Sequence, residues 1–138
     1  MKKFFLLAAI ALFTFSINST AQTANNNTTE QQKSPFDGIV EFSQDTIDYG
    51  TTKLNKPVTV TFKFTNVGEK PLIIKDAQAS CGCTTPDWTK APVLPGKSGT
   101  IKATYNASGM GKIMKTVFVN FQGIPRAKQL ILTGEVLK

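Results

Sequence analysis

The sequence contains no histidine. This absence excludes Ser-His-Asp and Cys-His catalysis, and it removes the commonest side-chain ligand of zinc sites. Cysteine and tryptophan are also scarce, since the chain of 138 residues has only Cys81, Cys83 and Trp88. After residue 15 no apolar run approaches the ~20 residues that a membrane-spanning helix needs. Distinctive chemistry is therefore confined to two sulfur atoms.

The N-terminus has the three zones of a secretory signal peptide. Two lysines precede an apolar run over residues 4–15, and the small residues Ser19 and Ala21 follow. The run is too short to span a membrane, so we expect cleavage after residue 21 and a mature chain that begins at Gln22. The pattern predicts export to the periplasm or the medium, with no transmembrane segment after cleavage.

The charge of the mature chain is modest. Removing Lys2 and Lys3 from the 16 basic residues leaves 14 against 9 acidic ones, a net charge of about +5. The lysines are scattered singly, and no aromatic residues are interleaved with them as they are in proteins that bind single-stranded nucleic acid. The sequence therefore predicts a solvated surface and no nucleic-acid partner.

The mature chain divides into a flexible leader, residues 22–35, and one domain, residues 36–138. The leader has no large apolar side chain and cannot offset its ordering entropy by burial. In the domain, residues 58–65 alternate apolar and polar side chains, as a half-buried strand does. Turn residues at 66–70 predict a hairpin to a strand near residues 71–75, and Gly109-Met110-Gly111 predicts a second hairpin turn. Residues 39–42 and 46–49 predict two short strands or one strand broken at residues 44–45, and further strands are predicted at residues 100–106, 113–121 and 130–136.

Short strands at this spacing, with no helix between them, predict a single immunoglobulin-like antiparallel β-sandwich of about seven strands. A small open barrel is the main alternative, because counting strands does not distinguish the two folds. An antibody-type domain is disfavoured, since such domains bridge their sheets with two distant cysteines packed on a tryptophan. Here Cys81 and Cys83 are two residues apart, and Trp88 follows them in a proline-bounded segment.

The Cys81-Gly82-Cys83 motif is the most unusual feature of the sequence. Residues two apart in an extended segment have Cα atoms ~6.6 Å apart, near the upper limit for a disulfide, and we expect Gly82 to permit the bend that closes the gap. Four states are open: a local disulfide, a pair of buried thiols, a Cu(I) site and an intermolecular disulfide. Met110 or Met114 is a further candidate ligand for the metal. Thr84, Asp87 and Trp88, which follow the motif, are candidate contact residues, and no cofactor is expected.

A local disulfide would stabilise the fold only weakly. Closing a loop of three residues yields ~1.6 kcal/mol in the chain-entropy estimate, against ~4.7 kcal/mol for a loop of 100 residues. Such a bond has the profile of a readily reduced disulfide, which keeps a redox role open. The usual redox motif, however, spaces its cysteines as C-x-x-C at a helix N-terminus, and this sequence has neither feature.

Several motifs together resemble a known family. They are Ile47-Asp48-Tyr49-Gly50, residues 62–68 with Pro71-Leu72-Ile73-Ile74, Ala79-Ser80-Cys81-Gly82-Cys83-Thr84-Thr85-Pro86, and Pro95-Gly96. The pattern covers approximately residues 40–136 and resembles secreted bacterial proteins grouped as a domain of unknown function, which are similar in turn to the immunoglobulin-like domains of hydin. The resemblance implies a seven-stranded sandwich exported by Gram-negative bacteria, with the Cys81/Cys83 loop at one end. It implies no catalytic residue.

These features predict an exported, non-catalytic immunoglobulin-like module. Its expected role is binding or envelope assembly, with a protein or another envelope component as partner. Two alternatives use the same pair of sulfurs, Cys81 and Cys83: a thiol-disulfide redox protein and a Cu(I)-binding protein.

Overall fold

Eight β-strands make up the regular structure of residues 34–138, the part of the chain that the computed structural model describes. The predicted signal peptide and almost all of the predicted leader lie outside these residues. The strands are β1 (Val40–Phe42), β2 (Thr46–Lys53), β3 (Val58–Asn66), β4 (Ile74–Ala79), β5 (Thr84–Trp88), β6 (Ser98–Tyr105), β7 (Gly111–Phe121) and β8 (Lys128–Leu137).

The strands form two four-stranded sheets, ordered β1-β3-β6-β5 and β2-β8-β7-β4. Two separate sheets confirm the predicted sandwich and exclude the barrel. Neighbouring strands are antiparallel except β2 and β8, which pair in parallel. The parallel pair and the eighth strand are differences from the prediction, because strand counting shows neither pairing partners nor direction.

The core is built from apolar side chains that alternate with polar ones along the central strands. In β3, Val60, Phe62 and Phe64 point inwards while the residues between them face solvent, which confirms the strand predicted from this segment. The inward side chains of β6, β7 and β8 meet them from both sheets. Each fully buried side chain of this kind contributes about 1.5–3 kcal/mol of transfer free energy. The buried core residues on these three strands are Ile101, Ala103, Tyr105, Val117, Val119, Phe121, Leu130, Leu132 and Val136.

A close contact between Gly99 and Phe64 explains one glycine of the core. Gly99 pairs with Phe64 across β3 and β6, and a Cβ at position 99 would collide with the phenylalanine ring. The ring also packs edge to face on Phe121, at a centroid distance of 5.7 Å, and lies 5.6 Å from the ring of Phe42. The glycine therefore makes room for an aromatic cluster that joins the two sheets.

Both predicted hairpins are wrong. The segment after β3 leads to β4 in the other sheet, and the segment that contains Gly109 leads from β6 to β7, again in the other sheet. Gly, Asn and Lys residues favour a change of chain direction, but they do not determine which sheet the next strand joins. The prediction also missed β5, because Pro86 interrupts the pattern of a strand.

Asn66, at the end of β3, organises the crossing to β4. Its side chain is fully buried, and its Nδ2 donates to the carbonyl oxygens of Lys70 and Val93 at 2.8 and 2.7 Å. Its Oδ1 accepts from the N–H of Gly68 at 3.0 Å. One amide therefore satisfies backbone groups of two loops at the same end of the sandwich.

We predict that Asn66→Ala lowers the free energy of unfolding by about 2–3 kcal/mol, because it removes the three hydrogen bonds that this buried side chain makes. Urea denaturation followed by circular dichroism measures the change.

Asn106 offers a matched control, because its Oδ1 also accepts the N–H two residues on, from Ser108 at 3.1 Å, but at an exposed position. Asn106→Ala should change the stability by no more than about 0.5 kcal/mol. Equal losses in the two variants would contradict the role given to Asn66.

Candidate functional site

The two cysteines lie where the chain changes from one sheet to the other. β4 ends at Ala79 in one sheet and β5 begins at Thr84 in the other, so four residues cross between them. Ser80 is held to β7, since its N–H donates to the carbonyl oxygen of Thr116 at 2.8 Å and its Oγ accepts the N–H of Thr116 at 3.3 Å. At the other end, the carbonyl oxygen of Cys83 accepts the N–H of Asn106 at 3.0 Å. Hydrogen bonds therefore anchor the crossing at both ends.

Cys81 and Cys83 are joined by a disulfide within this crossing. Their Cα atoms are 5.2 Å apart, closer than in an extended segment and within the usual range for a disulfide. The turn that brings them together is closed by the N–H of Thr84, which donates to the carbonyl oxygen of Cys81 at 3.4 Å. The two sulfur atoms are thus close enough to form a local disulfide.

Gly82 is not required by the backbone of this turn. Its φ is outside the left-handed region, and a Cβ built on it would meet no atom within 4 Å from any residue other than its two neighbours, Cys81 and Cys83. The expected bend is present, since the Cα atoms of Cys81 and Cys83 lie closer than in an extended segment, but the φ of Gly82 does not restrict the position to glycine. What the glycine does provide is an exposed position with no side chain beside the S–S bond.

Thr84 lies beneath the disulfide. The residue is only 4% exposed, and its Oγ1 is 3.8 Å from Cys81 Sγ and 4.0 Å from Cys83 Sγ. Within residues 34–138 these sulfurs are the hydrogen-bond partners of the hydroxyl. Of the three candidate contact residues, Thr84 is therefore the one that the fold places against the motif.

Asp87 and Trp88 lie at the opposite end of β5, three and four residues beyond Thr84. The Asp87 carboxylate accepts the N–H of Trp88 at 2.8 Å, and Lys90 Nζ lies 3.0 Å from the centroid of the indole ring and 3.6 Å from Asp87 Oδ1. The ring itself packs on the core. These two residues and the disulfide do not form one site, and a cation covers the tryptophan.

The remaining sequence candidates are exposed. Met110 lies in the loop between β6 and β7, and Met114 projects from the outer face of β7. Residues 34–138 contain no group of three or more His, Cys, Asp or Glu side chains that could hold a metal ion. They also contain no helix long and apolar enough to cross a membrane.

Among residues 34–138, Tyr49 on β2 is the titratable group whose pKa is clearly shifted. Burial raises the pKa of Tyr49 above its usual value of 10.0, and Tyr105 and Asp48 add to the increase. Its ring packs where a side chain at Gly134 would otherwise lie. The phenol therefore stays protonated at neutral pH and acts as a packing residue.

The outer edge of β5 is closed to pairing with another strand. Along β5, successive peptide groups point alternately towards β6 and away from it. The hydrogen bonds from Asn106 N to Cys83 O and from Thr89 N to Thr100 O show that the odd-numbered residues bond to β6. The peptide groups of residues 84, 86 and 88 therefore point away from β6. Thr84 N–H bonds to Cys81, Pro86 has no N–H, and the Trp88 N–H bonds to Asp87. Each outward donor of this edge is therefore absent or already used.

The edge of β4 lies beside that of β5 and is open. The bond from Ser80 N to Thr116 O places residues 76, 78 and 80 in hydrogen-bonded pairs with β7, so the peptide groups of Ala77 and Ala79 point outwards. Within the described residues no hydrogen bond outside the β4–β7 ladder uses these groups. A bulge interrupts the ladder between Ile74 and Asp76, which leaves residues 76–79 as the regular part of this edge.

The other two edges are less open. β1 has three residues, and its Val40 N–H bonds to the carbonyl oxygen of Phe36 at 3.0 Å. β2 carries a bulge between Asp48 and Thr51, where the Gly50 N–H bonds to the Asp48 carboxylate at 2.7 Å. Short strands and bulges are common means of protecting sheet edges.

A cleft lies at the start of β4, at the end of the sandwich opposite the disulfide. Its volume is about 1030 Å³, and residues 73–76 and 120–125 line it. A neighbouring cleft of about 680 Å³ shares residues 122–124 and is bordered by the exposed side chains of Ile39 and Val67. Sequence reasoning missed both the open edge and the clefts, because neither has a local motif.

The two sheets and the short crossing between them define an immunoglobulin-like β-sandwich with a C-x-C pair in the β4–β5 link. The profile of a family described as "Protein of unknown function (DUF1573)" matches residues 40–136. The chain belongs to this family, which confirms the expected membership in a family of unknown function. A comparison with curated protein sequences found no match.

Solved structures share the fold at low sequence identity. A protein of unknown function from Porphyromonas gingivalis W83 matches with a TM-score of 0.61 and 16% identity, over 71% of this chain and 46% of that one. The secreted serine protease VesC from Vibrio cholerae matches with a TM-score of 0.59 and 12% identity, over 75% of this chain and 24% of that one. The ASH / PapD-like domain 7 of human CEP192 matches with a TM-score of 0.58 and 13% identity, over 77% of this chain and 89% of that one.

The chain thus spans less than half of the first two proteins and most of the third. At these identities the likeness shows the fold alone.

We predict that replacing both cysteines by serine lowers the free energy of unfolding by only about 1.6 kcal/mol, the chain-entropy value for a loop of three residues. The hydrogen bonds of Ser80 and Cys83 hold the crossing without the disulfide. Urea denaturation, followed by the fluorescence of Trp88, measures the difference. A loss above about 4 kcal/mol would show that the bond is a main support of the fold.

Proposed function

We propose that this chain is an exported, non-catalytic binding module that holds an extended segment of a partner protein along the edge of β4. The open edge carries this proposal: Ala77 and Ala79 present peptide groups that are unpaired within residues 34–138. An added strand would satisfy these groups in the same way that β7 satisfies those on the other side.

The side chains of β4 indicate what the added strand presents. Ala77 is 8% exposed and Ala79 is half-buried, and both methyl groups face the core side of the sheet. An added strand would place alternate side chains on this same core side of the sheet, next to Ala77 and Ala79. The partner segment is therefore a short strand with alternating apolar residues, about as long as the six residues of β4.

The difference between the edges of β4 and β5 supports β4 as the docking edge. The two edges lie side by side, yet β5 has lost each of its outward donors while β4 keeps two. The cleft at the start of β4 lies near the beginning of this edge, between β4 and the end of β7. This arrangement favours addition to β4.

The compartment and the absence of catalysis are part of the proposal. The signal peptide predicted from residues 1–21 places the partner in the envelope or outside the cell. The lack of histidine throughout the chain supports binding over acid-base or nucleophilic catalysis.

Site-specific photocrosslinking in cells that export the protein tests the docking edge. A photoreactive amino acid at Gln78, exposed on β4, should give a protein adduct, whereas one at Lys102, exposed in the middle of the other sheet, should not. Ala79→Pro removes one outward N–H without breaking the ladder to β7, and we expect it to reduce the adduct at least tenfold, roughly the value of one lost hydrogen bond.

Ala79→Ser is the matched control, because it keeps the N–H and a small side chain. It should retain the adduct, and circular dichroism should show that both variants are folded. Adducts of equal yield from positions 78 and 102, or an adduct that survives in folded Ala79→Pro, would contradict the proposed edge.

A further inference from the structure

The Cys81–Cys83 bond contributes little to holding the fold together. It closes a loop of three residues, and hydrogen bonds to Thr116 and Asn106 already anchor both ends of the crossing. Breaking the bond therefore leaves the positions of β4 and β5 largely determined. A disulfide with this small structural role is free to serve another purpose.

The bond is also accessible. Both cysteines are partly exposed, and Gly82 between them is exposed and has no side chain to shield the sulfurs. The φ of Gly82 does not require glycine, and its consequence here is that no side chain stands next to the bond. Cys83 packs against the core and Cys81 does not belong to that cluster, so Cys81 Sγ is the sulfur more open to attack.

The Thr84 hydroxyl is placed to favour the reduced form. It is buried, and within the described residues its partners are two disulfide sulfurs at 3.8 and 4.0 Å. A disulfide sulfur is a weak acceptor, whereas a thiolate is a charged and much stronger one. The hydroxyl therefore gains a better hydrogen bond when the S–S bond is broken.

We propose that the Cys81–Cys83 pair exchanges electrons with an external dithiol and that Thr84 is the positioning residue for the thiolate that leaves. One thiolate of the dithiol attacks Cys81 Sγ, forms a mixed disulfide with it and expels Cys83 as a thiolate. The Cys83 thiolate then accepts a hydrogen bond from the Thr84 hydroxyl. The second thiolate of the dithiol then attacks the dithiol sulfur of the mixed disulfide and releases Cys81 as a thiolate.

The step is balanced. Two electrons pass to the protein, the dithiol becomes a disulfide, and its two protons pass through solvent to Cys81 and Cys83. The reverse sequence oxidises the protein pair and reduces an external disulfide. This activity is independent of strand docking on β4, because it needs only the sulfurs and Thr84.

Equilibration of the full chain with dithiothreitol and its oxidised form, followed by alkylation and mass measurement, tests the proposal. The folded wild-type protein should be reduced, and Thr84→Val should lower both the rate and the equilibrium constant of reduction roughly tenfold. Thr85→Val, at the exposed neighbouring position, is the matched control and should match the wild type. Thr84→Ser keeps the hydroxyl and should restore both values.

Single-cysteine variants test the direction of attack. Cys83→Ser, which leaves Cys81 available, should form a mixed disulfide with oxidised glutathione at least several-fold faster than Cys81→Ser, because Cys83 packs against the core. Urea denaturation checks that each variant is folded.

Two results would overturn the proposal. One is a folded wild-type protein whose disulfide resists excess dithiothreitol. The other is a set of equal rates and equilibrium constants for folded Thr84→Val, Thr84→Ser and Thr85→Val, which would show that the hydroxyl only fills space. A failure of photocrosslinking at Gln78 bears on neither outcome, so the two proposals fail separately.

Discussion

The structure depends on a change of sheet over four residues, between Ala79 and Thr84. Because the two sheets are packed ~10 Å apart, a link of four residues has few conformations that reach from one sheet to the other. Both of its ends are therefore fixed in position. Ser80 is tied to β7 and Cys83 to the segment after β6, and the disulfide closes the turn between them. This short crossing makes β4 and β5 the last strands of their sheets on the same side of the sandwich. It therefore places a sulfur pair and two sheet edges next to one another.

The edges of β4 and β5 differ in whether their outward backbone groups are paired. On β5, Pro86 lacks a donor, and Asp87 and the turn at Cys81 use the two others, whereas on β4 the outward groups of Ala77 and Ala79 are left unpaired within residues 34–138. Exposed sheet edges can pair with other chains and cause aggregation, and proteins usually protect them. An edge that stays open next to a protected one therefore favours a role in binding. The disulfide lies at one end of the open edge and the cleft at the other. The proposed binding surface and the proposed redox-active pair thus share one side of the molecule while depending on different atoms.

The sequence predicted the fold class well because its main signal is local. Alternation in residues 58–65 identified β3 and its buried face, and the spacing of turns indicated a sandwich. Pairing was predicted poorly, because turn residues after Asn66 and around Gly109 show where the chain turns but not which sheet it enters. Pro86 concealed β5, although a proline at an outward-facing edge position is compatible with a strand. For the site, spacing alone showed that Cys81 and Cys83 could meet. The contact with Thr84, the separation from Trp88 and the open edge of β4 depend on packing between distant segments.

Amide hydrogen exchange, measured residue by residue by NMR on the folded chain, tests the central claim most directly. If the change of sheet leaves β4 as an open edge, the amides of Ala77 and Ala79 exchange roughly a hundredfold faster than those of Gln78 and Ser80, which are bonded to β7. Equal protection across all four amides would show that this edge is already paired, and it would contradict the account.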